Sequence, residues 1–139
     1  MKKIIGLIIL TLGISLLISV LSSKCFGIDL EITDPADLPL ALWLAGIIPM
    51  VLMVIIIIFE IFKTSKIIPN AKNGFLLGLT AVAIGLFFDF LAFVPHPNGI
   101  NILIKYFHQS EYWSAFVLIL VACTLVGYIK DKKIRPNRF

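Results

Sequence analysis

Residues 73–94 read NGFLLGLTAVAIGLFFDFLAFV, and this stretch of 22 residues contains one charged side chain, Asp89. A helix needs about 20 predominantly apolar residues to cross the hydrocarbon layer of a bilayer. The stretch therefore predicts a membrane-spanning helix. The whole chain agrees, because 60% of its 139 residues are hydrophobic and only 14% are charged, which is far from the usual balance of a soluble domain.

Three further apolar stretches have lengths close to one bilayer crossing. The predicted spans are 4–23, 39–61, 74–94 and 112–129. They leave room for short loops and a basic tail, 130–139, so we expect one integral membrane domain, 1–139, folded as an up-down-up-down bundle of four transmembrane helices. The start of the chain resembles a signal peptide, but its apolar run is longer than a signal core and no A-x-A site follows, so we expect the first span to be retained.

The basic residues predict the orientation of the bundle. Lys and Arg near the ends of short loops stay on the cytoplasmic side. With both termini in the cytoplasm, ten of the twelve basic residues lie inside: Lys2, Lys3, Lys63, Lys66, Lys72, Lys130, Lys132, Lys133, Arg135 and Arg138. Lys24 and Lys105 lie outside. We therefore expect a multi-pass protein of the cell membrane whose basic residues meet lipid headgroups and not nucleic acid.

Both outer loops carry local signals. In the first, Asp34-Pro35-Ala36-Asp37 is typical of a helix start with an aspartate cap. In the second, apolar residues at helical spacing predict an interfacial helix over 99–108 with Asn98 as its cap. His96, His108 and Glu111 share that side of the membrane, but their spacing is irregular and we expect no metal site.

Small residues form a stripe on the third span. Gly74, Gly78, Ala81 and Gly85 recur every three or four positions, followed by Asp89, which places them on one helix face. Small side chains let two helix backbones approach closely in lipid. The stripe predicts a helix-packing surface, within the chain or, as the alternative, between two copies in a homodimer.

Asp89 lies inside the third span and is the candidate intramembrane polar site. A carboxyl group facing lipid costs up to about 3 kcal/mol, so it should face the bundle interior. Ser15 and Ser19 of the first span lie at a similar depth and are its expected partners, with Gly46 and Pro49 of the second span nearby. The sequence thus predicts a polar pocket in the outer half of the bundle.

No pattern for catalysis or cofactor binding accompanies Asp89. Near it there is no second acid, no nucleophile with an adjacent base and no Gly-rich phosphate loop. Cys25 and Cys123 belong to different depths and predict neither a disulfide nor a metal site. We expect no cofactor and no metal, and enzymatic activity is disfavoured.

The four predicted spans, with Gly74-x-x-x-Gly78 and Gly85-Leu86-Phe87-Phe88-Asp89 in the third, resemble uncharacterised small four-helix membrane protein families of bacteria. That resemblance implies the fold and no activity. The small multidrug exporters have a similar length, but their pattern places an essential Glu in the first span, where this chain has no acid. The paired thiols of quinone-linked thiol oxidoreductases are also missing.

These observations favour a structural or accessory membrane protein. Its expected partners are the lipid bilayer and either a second copy of the chain or another membrane protein. The alternative is a small proton- or cation-linked transporter or channel that uses Asp89, because ionisable residues inside spans often mark ion pathways.

Overall fold

The computed structural model describes residues 34–95 and 97–135, together with residues 6, 9–10, 13–14, 17, 21, 24–25 and 27. Within residues 34–95 and 97–135 the structure has four α-helices: α1 (Leu40–Thr64), α2 (Ala71–Phe93), α3 (Gly99–Phe107) and α4 (Ser110–Ile134). Three of them, α1, α2 and α4, are long and apolar enough to cross a membrane. The predicted first span, 4–23, falls largely outside the described residues, and so do Ser15 and Ser19.

The long helices extend beyond the predicted spans. α2 begins at Ala71 because the Asn70 side chain accepts a hydrogen bond from the backbone N–H of Asn73, at 2.7 Å. α4 continues past the predicted end at 129 to Ile134 and includes two lysines in its last turn. Hydropathy marks only the part of a helix that suits hydrocarbon, whereas caps and the favourable position of cations at a helix C-terminus decide where it ends.

The segment before α1 differs from the prediction of a helix start at Asp34. Asp34 does cap, accepting from the N–H of Ala36 at 3.1 Å, but the turn is a 3₁₀ helix, Pro35–Asp37, that stops at once. Leu38 is extended, with φ −71° and ψ 129°. Because Pro39 disfavours helical geometry in the residue before it, the long helix has to begin again at Leu40.

α4 lies between the other two long helices. It packs most extensively against α2 and next against α1, whereas α1 and α2 touch each other only briefly. The buried cluster reflects this arrangement, since it joins α1 to α4 through Ile58, Phe62, Ile119, Cys123 and Val126. Cys123 is fully buried, so a thiol that behaves as a small apolar side chain fills the centre of the contact.

Three glycines set the close approach of α2 and α4. A Cβ atom at Gly74 would overlap the carbonyl oxygen of Cys123, and one at Gly127 would overlap that of Asn70. At Gly78 it would lie 3.0 Å from the Cβ of Cys123. At Gly85 the nearest atom is a ring carbon of Phe116, 3.9 Å away, so the two helices have diverged there.

The bundle has two chemically different ends. At the basic end, Lys130 near the end of α4 donates to the carbonyl oxygen of Phe59 near the end of α1, at 3.1 Å. Lys63, Lys66 and Lys72 belong to the end of α1, the connection that follows it and the start of α2. At the aromatic end, Trp43, Phe93, Tyr106 and Tyr112 bring together the start of α1, the end of α2, α3 and the start of α4. α1 and α4 therefore run in the same direction, with α2 opposite.

α3 occupies the connection between α2 and α4, at the place where the sequence predicted a helix over 99–108. Asn98 holds the cap position, but its backbone is left-handed, with φ 61°, and its side chain makes no capping hydrogen bond. A Cβ atom on Gly99 would overlap the carbonyl oxygen of Phe93. The turn into α3 is therefore tight, and the left-handed backbone of Asn98 differs from the extended backbone that is typical of a capping residue. Leu103 is buried by protein, whereas Ile100 and Ile104 are exposed.

Candidate functional site

Asp89 lines a cavity of about 330 Å³ at the aromatic end. α1 contributes Trp43, Gly46 and Met50 to the walls, α2 contributes Gly85 and Phe93, α3 contributes Tyr106 and α4 contributes Tyr112. All four described α-helices therefore share this space. Its volume lies at the lower end of the range of about 300 to 1,000 Å³ that small-molecule pockets occupy.

The carboxylate of Asp89 has a defined partner. The hydroxyl of Tyr112 donates to Oδ2 of Asp89 at 2.6 Å, and the bond is partly buried. A phenol that donates to a carboxylate makes a short, charge-assisted hydrogen bond. Within the described part of the chain this is the one hydrogen bond of Asp89, and the salt bridges found there belong to other acids, Asp34 and Asp131.

Aromatic rings form much of the wall around Asp89. Tyr106 is central to them, with ring centroids 5.6 Å from Trp43, 5.5 Å from Phe93 and 6.3 Å from Tyr112. Tyr112 also makes an edge-to-face contact with Phe116 at 5.0 Å. Burial, and secondly the negative charge of Asp89, raise the pKa of the Tyr106 phenol above its ordinary 10.0, so this ring stays neutral under ordinary conditions.

The cavity lining combines buried apolar side chains with a carboxylate that is less buried. Leu42 and Ile47 of α1 and Ala115 and Phe116 of α4 are buried. Asp89 is half-buried.

α3 is tied across the aromatic end by an ion pair. Lys105 of α3 donates to Oδ2 of Asp34 at 2.5 Å. The bond to Lys105 is the main cause that lowers the pKa of Asp34 below its ordinary 3.8, followed by the bond from the N–H of Ala36. Because Asp34 begins the turn that leads into α1, this exposed pair links α3 to the segment that precedes α1.

The predicted site residues fall into separate groups. Asp89 and Gly85 line the cavity, together with Gly46 of α1. Ser15 and Ser19, the expected hydroxyl partners, lie outside the described residues. Gly74 and Gly78 are buried against α4, and Ala81 packs against the core cluster in the same region.

The sequence did not identify the aromatic residues of the site. No role at this site was predicted from the sequence for Tyr112, Trp43 or Tyr106. A useful signal was available, since Tyr112 opens the helix that follows the α2–α3 connection and must return near the end of α2. The long side chain of Tyr112 then lets its hydroxyl reach Asp89, about one turn before the end of α2.

A second cleft, of about 500 Å³, lies at the basic end beside Asn70, Asn73 and Thr80. Its polar groups already bond within the chain, because Asn73 Nδ2 donates to the carbonyl oxygen of Ile68 at 2.7 Å and Thr80 donates to that of Leu76 at 2.9 Å. None of the described residues that line it is charged. The Asp89 cavity is therefore the stronger candidate for a binding function.

The described residues contain no group of three or more His, Cys, Asp or Glu side chains that could hold a metal ion. His108, one of the residues weighed for such a site, bonds through Nδ1 to the carbonyl oxygen of Ile104 at 2.7 Å, and His96 lies outside the described residues.

The chain matches no protein-family model, no curated protein and no solved structure. Among the described residues, the cavity lining supplies one carboxylate, two phenols and an aromatic wall.

Proposed function

We propose that the chain is a multi-pass protein of the cell membrane, with four spans in up-down-up-down order and both termini in the cytoplasm. Three spans correspond to α1, α2 and α4, and residues 4–23 would supply the fourth. Large apolar side chains on the outer faces of these helices support contact with lipid, such as Leu52 and Ile56 of α1 and Val117 and Val121 of α4, all exposed.

The charge distribution supports this orientation. The clustering of Lys63, Lys72 and Lys130 at one end suits the cytoplasmic face, where basic residues remain during insertion. At the opposite end, Trp113 and Tyr112 suit the outer interface, where amphipathic rings concentrate. The exposed Ile100 and Ile104 would lay α3 in that interface.

Labelling with a membrane-impermeant maleimide in intact cells tests the orientation. Cys25 is exposed and would be replaced by Ser, whereas Cys123 is buried and can stay. In that background Ser110→Cys at the aromatic end should react from outside, and Lys66→Cys at the basic end should react only after permeabilisation. The opposite pattern, or equal labelling of both sites in intact cells, would overturn the proposed orientation.

We propose that the protein has a structural or accessory role in the membrane. Its partners would be the lipid bilayer and either a second copy of the chain or another membrane protein. The observation that carries this is the hydrogen bond from Tyr112 to Asp89, which engages the intramembrane carboxylate in holding α2 against α4. A residue engaged in this way needs no transported ion to explain its presence. Purified protein in liposomes should then show no proton flux that depends on Asp89.

The alternative, a small proton- or cation-linked transporter or channel, is favoured by a different observation. Besides its bond to Tyr112, Asp89 lines a cavity and is only half-buried. Flux in liposomes that disappears in Asp89→Asn and persists in Glu111→Gln would establish this alternative in place of the accessory role. Glu111 is a suitable control because it lies at the same end of α4 but does not line the cavity.

A further inference from the structure

We propose that the Asp89 cavity binds a small organic cation, an amine or a quaternary ammonium compound. The juxtaposition that carries the proposal is one carboxylate in a cavity that is also lined by the rings of Trp43, Tyr106 and Phe93 and by buried apolar side chains. This goes beyond an accessory role. It rests on the proposed orientation in one respect, because the aromatic end must face outward for the cation to arrive from outside.

The charge of Asp89 favours a cation in the cavity. Tyr112 satisfies Oδ2 of Asp89 at 2.6 Å, but an ionised carboxylate can accept about four hydrogen bonds. No basic side chain pairs with it in the described part of the chain, where the salt bridges are Lys105–Asp34 and Arg135–Asp131. Since a half-buried carboxylate without a counter-charge is stabilised by any cation that reaches it, the site favours a positively charged ligand.

The aromatic rings of the cavity wall also favour a cation. A cation within about 6 Å of an aromatic ring is attracted to the face of the ring, most strongly for Trp, and the attraction grows when water is excluded. Trp43 and Tyr106 stand edge to face with centroids 5.6 Å apart, and Phe93 lies 5.5 Å from Tyr106. A cation placed beside Asp89 would therefore meet several rings at once.

The cavity lining suits an organic cation better than a metal ion. Metal ions such as Ca²⁺ take six to eight oxygen ligands and Mg²⁺ demands a nearly ideal octahedron. Among the described lining residues, Asp89 offers a carboxylate and Tyr106 and Tyr112 offer phenols, and the rest of the wall supplies no side-chain oxygen. Such a wall cannot replace the water around a small inorganic ion, but it suits the alkyl groups of an ammonium compound.

The test uses the full chain in detergent and the fluorescence of Trp43. The chain has two tryptophans, so Trp113→Phe leaves Trp43 as the single reporter on the cavity wall. Tetraethylammonium chloride is the probe, with sodium chloride at equal ionic strength as its control. We expect a saturable change in Trp43 emission with tetraethylammonium and none with sodium.

Two pairs of variants then test the residues. Asp89→Asn should weaken tetraethylammonium binding by about tenfold or more, which corresponds to about 1.4 kcal/mol, whereas Glu111→Gln should bind like the parent. Tyr106→Leu keeps the carboxylate and removes one ring, and should also weaken binding, whereas Tyr128→Leu at the basic end should not. Circular dichroism of each variant checks that its helices are retained.

The proposal is overturned if tetraethylammonium gives no saturable signal in the parent protein by fluorescence and by calorimetry. It is also overturned if Asp89→Asn and Tyr106→Leu both bind as tightly as the parent. Binding in detergent does not depend on orientation, so failure here leaves the maleimide result intact. Conversely, reversed labelling would leave the cation site standing and change only the side from which the cation enters.

Discussion

The hydroxyl of Tyr112, in the first turn of α4, lies 2.6 Å from Oδ2 of Asp89, in the last turns of α2. The two side chains belong to the pair of helices with the most extensive contact. This bond holds the aromatic end of that pair together, at the level where the glycine contacts of the other half have ceased. The helices are therefore joined by backbone proximity at one end and by a polar bond at the other.

A double-mutant cycle should detect this bond. Tyr112→Phe and Asp89→Asn each remove or weaken it, and their combined effect on the free energy of unfolding should fall short of the sum by about 1 kcal/mol, which is typical of interhelical hydrogen bonds in membranes. Unfolding in a mixed detergent with rising denaturing detergent supplies the measurement. Strictly additive effects would mean that the bond contributes nothing to stability.

Gly74 and Gly85 should respond differently to the same substitution. Gly74→Ala places a Cβ on the carbonyl oxygen of Cys123 and should destabilise the protein by about 1 to 3 kcal/mol, as overpacking commonly does. Gly85→Ala meets only a ring carbon of Phe116 at 3.9 Å and should change stability by no more than about 0.5 kcal/mol. Thermal unfolding in detergent compares the two variants. Equal losses would contradict the divergence of α2 and α4.

Asn70 and Asn98 form a second matched pair. Asn70→Ala removes the side-chain acceptor for the N–H of Asn73 and should cost about 1 kcal/mol of unfolding free energy. Asn98→Gly removes no capping bond and relieves a backbone with φ 61°, so it should be neutral or stabilising. The same unfolding assay distinguishes them, and a large loss at Asn98 with none at Asn70 would reverse the assignment.

The ion pair between Asp34 and Lys105 should be visible as a shifted titration. The bond to Lys105 lowers the pKa of Asp34 below 3.8, and Lys105→Met should return it toward that value. Carbon NMR of the labelled carboxyl group measures the pKa directly. Lys132→Met, at the opposite end of the bundle, is the control and should leave it unchanged.

The same shift fixes the direction of the pH dependence. Because the folded pKa of Asp34 is lower than the unfolded one, its contribution to stability is fully present above pH 3.8. It is lost as pH falls through the lower, folded pKa. Below that pH, wild type and Lys105→Met should therefore converge in stability.

Hydropathy predicted the helical character of the chain and three of its helices, because long apolar runs such as 74–94 and 112–129 admit few other structures. It did not predict their ends. Whether α1 begins at Asp34 or Leu40 depends on the effect of Pro39 on Leu38, and the length of α4 depends on charged residues that hydropathy excludes. Caps and prolines, which concern single residues, decided these points.

One residue of the candidate site, Asp89, could be singled out from the sequence. It is conspicuous because it is a charge inside an apolar run, and its half-buried position on the cavity wall is consistent with the expectation that it faces inward. Its partner was not predictable in the same way. Tyr112 belongs to a residue type that is ordinary at a membrane surface, and only the three-dimensional return of α4 toward the end of α2 gives its hydroxyl a role. Gly127 was also missed, because it stands alone in the sequence and forms no stripe of small residues.

The position of α4 between α1 and α2 bears on the order in which the molecule can assemble. A ribosome releases α1 and α2 first, and these two helices have little contact with each other. α4, which contacts both of them, is synthesised after both. Packing of these three helices must therefore wait until α4 has been made, and a chain truncated before Ser110 would lack the surface that joins α1 to α2.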